Sequence, residues 1–110
     1  MPVKCFLGLL VIGNFAWAEF YEWDNPNKSF DTGVNKRTES TIKWIPVDDV
    51  IDACNKESKK RGFGGFDPGA KFAACSFYNG NQCTIITSKT PSMHTLGHEM
   101  RHCYQGNWHE

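Results

Sequence analysis

The chain has 110 residues, enough for one domain and no more. Its 12 Lys and Arg balance 12 Asp and Glu. That balance excludes the basic footprint of a nucleic-acid binder and gives no polybasic case for a membrane surface.

Residues 1–18 read as a secretory signal peptide. Lys4 supplies a positive start, residues 6–15 are mostly apolar, and Ala16-Trp17-Ala18 is a small-x-small cleavage site. The apolar run is short for a transmembrane helix, so no stable membrane anchor is expected after cleavage. Cleavage would remove Lys4 and no acid, leaving one negative charge in excess. It would also discard Cys5 and leave four cysteines, Cys54, Cys75, Cys83 and Cys103. An even number in a small exported domain reads as two disulfides, with three pairings open. None lies in a CxxC pair, which argues against a zinc-cysteine cluster. A domain of about 90 residues buries only about 60–65% of its unfolded surface, so crosslinks matter.

Residues 19–40 are polar and broken by Asn25-Pro26-Asn27 and Asp31-Thr32-Gly33, predicting an extended N-terminal arm. Phe20, Tyr21, Trp23 and Phe30 are its candidate anchors to the body. Residues 41–45 alternate polar and apolar β-formers and predict a strand that Pro46 stops. Asp48 and Asp49 then suit the first turn of a helix. Val47, Val50, Ile51 and Cys54 form its apolar stripe, Lys56, Lys59, Lys60 and Arg61 suit its last turn, and Gly62 ends it. Residues 61–70 are glycine-rich, but without a GKS/T ending or a following helix they predict a plain mobile loop, not a phosphate cradle. Residues 71–78 and 83–88 predict two strands joined by a hairpin turn at Asn79-Gly80. Thr90 as N-cap and Pro91 as first residue would open a last helix that Gly106 terminates. The order strand, helix, strand, strand, helix predicts an α+β domain over residues 41–110, with a short sheet and hairpin packed on two helices and stapled by disulfides.

The last helix carries His98-Glu99-Met100-Arg101-His102, an HExxH motif. Histidines four apart share a helix face, so two imidazoles can grip one Zn²⁺. The glutamate beside the first is placed to act as general base on a metal-bound water. At about 100° per residue, His94, His102, Arg101 and Gln105 fall on the side of His98. Leu96, Met100 and Cys103 fall opposite, which predicts a polar histidine face under a cleft and an apolar back in the core.

This segment resembles the active-site helix of the zincin metallopeptidases, whose motif His98, Glu99 and His102 match residue by residue. The element order over residues 41–109 resembles the minimal zincin core. The extension through Gly106 to His109 resembles the metzincin pattern HExxHxxGxxH, with one extra residue between His102 and Gly106. The resemblance implies a zinc ion held by His98, His102 and His109, with Asp67 or Glu110 as substitutes for the third ligand. It implies a peptide or protein substrate, hydrolysed through a zinc-activated water with Glu99 as base. Tyr104, His94, Arg101 and Tyr78 are the candidate oxyanion or substrate contacts. The strand over residues 83–88 is the candidate sheet edge along which substrate would lie. The alternative is a non-catalytic zinc-binding or protein-interaction module of the periplasm or extracellular space; its site would be closed by four ligands. A disulfide-stapled interaction protein without metal is a third reading.

Overall fold

The computed structural model describes residues 27–66, 69 and 71–107. The signal-peptide reading, the cleavage site, Phe20, Tyr21, Trp23, Asp67, His109 and Glu110 lie outside the described residues. After a short 3-10 turn at Thr32–Val34 come β1 (Thr41–Val47), α1 (Val50–Lys60), β2 (Ala74–Asn79), β3 (Gln82–Ser88) and α2 (Met93–Gln105). Among the described residues the class is α+β, with a three-stranded sheet and two helices.

Sheet order is β1-β3-β2. Strand β3 therefore lies in the middle. It runs parallel to β1, pairing Thr41 with Gln82 through Val47 with Ser88. It runs antiparallel to β2, pairing Ala74 with Thr87 through Asn79 with Gln82. A parallel pair needs a long crossover, which α1 and β2 supply. The expectation that residues 83–88 form an edge is overturned: both sides of β3 are hydrogen-bonded, so it cannot accept another strand.

The sheet is the middle layer of three. On one face Ile86, Phe77 and Cys75 pack with Cys54 of α1, flanked by Ile45, Val47, Val50 and Ala53. On the other, Cys83 and Ile85 pack with Cys103 of α2, flanked by Ile42, Leu96, Tyr78 and Tyr104. Neighbouring residues of β3 point to opposite faces, and burial on both sides explains why Cys83, Ile85, Ile86 and Thr87 are all buried. Each layer has its own staple. Cys54–Cys75 ties α1 to β2, and Cys83–Cys103 ties α2 to β3. With sequence separations of 21 and 20, each closes a loop worth about 3 kcal/mol.

Several boundaries differ from the sequence expectation. Pro46 lies inside β1 and does not stop it. Among the described residues strand β1 is an edge of the sheet, a setting where a missing N–H costs no ladder bond. Asp49 caps α1, its carboxylate accepting from the Asp52 N–H at 3.0 Å. Val47 consequently belongs to the strand, Ala53 takes the inner position, and Ile51 turns outward. The hairpin turn is Gly80-Asn81; Asn79 still pairs with Gln82, and Gly80 supplies the positive φ of 61°. Ser92, not Thr90, caps α2, with its hydroxyl accepting from the Thr95 N–H at 2.9 Å. The glycine-rich loop is pinned to α1, Phe63 N–H donating to Ser58 O and Phe66 N–H to Asn55 Oδ1.

Candidate active site on the last helix

Helix α2 buries Thr95, His98, Glu99, His102, Cys103 and Gln105. These span an arc of about 160° at 100° per residue, centred between His98 and Cys103. Met93 and Met100 lie on the exposed arc. The predicted faces were thus rotated: the histidines belong to the buried stripe, and Met100 does not. Polarity alone sets the wheel's histidine face, whereas the Cys83–Cys103 bond places only one border of the buried stripe. The other border is set by the arm. Gln105 Nε2 donates to Asp31 O at 2.9 Å and to Asn35 Oδ1 at 2.6 Å. Lys36 N–H donates to Tyr104 O at 2.8 Å, and Arg37 Nη1 to Cys103 O at 2.5 Å. The last carbonyls of a helix have no partner within it, and here the arm supplies donors for two of them.

The motif itself is almost solvent-free. His98 is 4% exposed, Glu99 1% and His102 3%. His98 Nε2, His102 Nε2 and both Glu99 carboxylate oxygens are shielded from water. The two imidazole centroids are 4.9 Å apart with planes at 77°. His98 Nε2 lies 3.9 Å from Glu99 Oε2.

Gly106 completes this arrangement. Its N–H donates to His102 O, which closes the helix. Its own carbonyl lies 2.6 Å from His102 Nδ1. A carbonyl can only accept, so Nδ1 is the donor in this contact. The backbone at Gly106 has φ 77° and ψ −143°, a region open to glycine alone. Gly106 therefore ends the helix as expected and also orients the second histidine of the motif.

The other candidates separate into two places. His94 and Arg101 line a cleft of about 340 Å³ beside His98, whose further wall includes Lys28 and Phe30 of the arm. Tyr104 and Tyr78 pack instead around the Cys83–Cys103 cluster, and the Arg37 guanidinium lies 5.9 Å from the Tyr78 ring centre. Among the described residues no three His, Cys, Asp or Glu side chains converge as a metal-holding group. The four cysteines are spent in disulfides and hold no metal. The arm residues Lys28, Phe30 and Arg37 and the Gly106 carbonyl were not foreseen as parts of the site. They reach α2 from about 70 positions away or through main-chain atoms, which no local side-chain pattern encodes.

No protein-family model, no curated protein and no solved structure matches this chain.

Proposed function

We propose that the protein is an exported zinc-dependent hydrolase of peptide bonds with a zincin-like site on α2. The observation that carries this reading is the Gly106 carbonyl at His102 Nδ1. Metal-bound histidines are commonly oriented by such an acceptor, which leaves Nε2 for the metal and raises its basicity. The donor chemistry fits zinc: two imidazole nitrogens one helical turn apart, with a carboxylate that takes no part in ligation beside them. His98 and His102 would hold the ion, with His109 as third ligand. Bound zinc supplies a Lewis acid and lowers the pKa of an attacking water toward ~7. Glu99 would take the proton of an attacking water and pass it to the departing amine nitrogen. His94 and Arg101, which share the cleft with His98, are the donors available to the oxyanion. Two disulfides suit an oxidising compartment, and no described helix is long and apolar enough to cross a membrane.

The near-complete burial of the motif also favours a second reading, a closed zinc site in a non-catalytic binding module. Elemental analysis and casein or peptide-library cleavage separate the two. We expect one zinc per chain in the wild type and in Glu99→Gln, with cleavage by the wild type alone and a loss of about 10²–10⁴-fold in the variant. Zinc without cleavage in either protein would favour the binding module. Absence of zinc would overturn both readings.

A further inference from the structure

Helix α2 is held in two different ways. Toward the sheet it is fixed by the Cys83–Cys103 bond and by the packing of Leu96 and Tyr104 around that cluster. Its other hold is the arm. Lys28, Ser29 and Phe30 share one cleft with His94 and His98. The Phe30 ring centre lies 4.2 Å from the Arg101 guanidinium carbon. Asp31 O and Asn35 Oδ1 accept from Gln105 Nε2 at 2.9 and 2.6 Å. Lys36 N–H donates to Tyr104 O, and Arg37 Nη1 to Cys103 O. The Lys36 side chain also passes within van der Waals reach of a Cβ placed on Gly106. The arm thus follows the motif from the cleft beside His98 to Gly106, whose carbonyl orients His102.

This arm adds nothing to the core. Residues 27–40 are all exposed except Arg37 and Ser40, which are half-buried. A segment tied mainly by polar contacts, with no buried apolar side chain, sits at the low end of local stability and opens while the sheet stays folded. The chain is fixed again just after it, because Ser40 Oγ and Thr41 N–H both donate to Asn81 O. Thr38 and Glu39, both exposed, lie between Arg37 and this anchor and supply the pivot. The motif needs such a movement. With His98 4% and Glu99 1% exposed, a ligand cannot meet them in the closed arrangement. The side of α2 joined by a disulfide cannot draw back, whereas the side under the arm can.

We propose that residues 27–37 form a strap over the motif, which opens as one unit about Thr38-Glu39 to admit a ligand to His98, Glu99 and His102 and then closes again. The proposal rests on the zinc hydrolase reading for what is admitted, but the opening itself needs neither metal nor cleavage. Because only open molecules take up a ligand, the strap lowers apparent affinity in proportion to the fraction closed.

The test uses diethyl pyrocarbonate, which acylates accessible imidazoles, on the chelated full chain. Modification rates of His98 and His102 are read by peptide mass spectrometry, with the half-buried His94 as internal reference. In the wild type both should react at about one-tenth of the His94 rate or less, as protection by a local closure predicts. Phe30→Ala combined with Asn35→Ala removes one ring contact and one hydrogen bond of the strap, and should raise the His98 and His102 rates about tenfold against His94. Ser92→Ala weakens α2 at its far end without touching the strap, and should leave the ratio unchanged. An unchanged ratio in the folded double variant, or an equal rise in Ser92→Ala, would overturn the proposal. Should the double variant lose its circular dichroism, Asn35→Ala alone decides, with a rise of about threefold expected and no rise counting against the strap. If the ratio responds in a protein that neither holds zinc nor cleaves, the hydrolase reading fails and the strap stands. If cleavage holds while the ratio is fixed, only the strap fails.

Discussion

Replacing Gly106 by alanine isolates the link between backbone conformation and the second histidine of the motif. At φ 77° and ψ −143° an L-residue is strained by about 1–3 kcal/mol. The new methyl group itself would meet only the Lys36 side chain, at 3.6 Å, an ordinary contact. The cost is therefore one of backbone strain, and the chain can respond in two ways. It can keep the conformation, so that the full strain appears as lost stability and the carbonyl stays on His102 Nδ1. Or it can rotate the peptide, which relieves strain but withdraws the acceptor from Nδ1. Loss of such an outer contact lowers metal affinity by about 10–100-fold, equivalent to roughly 1.4–2.7 kcal/mol. Urea denaturation of the chelated protein and zinc titration against a chromophoric chelator measure the two effects separately. Their sum should reach about 2 kcal/mol in Gly106→Ala. Gly62→Ala serves as control, since Gly62 also has positive φ, 85°, and open space around it, but no link to a histidine. It should lose stability with zinc affinity unchanged. If both variants lose equal stability and Gly106→Ala keeps its zinc affinity even as the His102 Nδ1 proton signal disappears from the NMR spectrum, the tautomer argument is wrong.

Ser92→Ala should destabilise the chelated protein by about 1 kcal/mol through loss of the cap on Thr95 N–H, while Thr90→Ala should change stability by less than half of that. Urea midpoints of the two variants decide it, and a larger effect at Thr90 would move the helix start. Removing Cys54–Cys75 by paired serine substitution should cost about 3 kcal/mol and leave zinc affinity within about twofold; removing Cys83–Cys103 should cost a similar amount and weaken zinc as well, because Cys103 directly follows His102. Equal effects of both pairs on zinc would refute the assignment of one staple to each layer.

How much of this was legible in the chain depends on the range of the interaction that decides it. Helix α1, the hairpin and the glycine stop of α2 were readable because local chemistry decides them: a carboxylate cap, a glycine with positive φ, a short β-rich repeat. The exact cap at Ser92 is not legible because Thr90, Pro91 and Ser92 all suit a helix start, and only the bond to Thr95 N–H chooses. Strand order was not readable. Nothing in residues 83–88 says that β1 pairs on the side away from the hairpin; burial of both faces, with Ile85 and Ile86 side by side, is the trace it leaves. The HExxH motif was legible as a motif, but its burial was not. Polarity separates His98 and His102 from the apolar back on a wheel, and the ties that turn them inward come from Asp31, Asn35, Lys36 and Arg37.

Pro46 has a consequence beyond its tolerance at an edge. Strands β1 and β2 are the two margins of the sheet among the described residues. The β1 margin lacks one main-chain donor at Pro46 and carries the exposed Lys43, two features that deter a foreign strand. Among the described residues the β2 margin, Ala74–Asn79, carries neither a proline nor a lysine. Growth of a fibre by edge pairing needs two compatible margins on every molecule, one to receive and one to offer. A sheet with one guarded side offers a single such margin, so self-pairing through it closes on a two-fold dimer and goes no further.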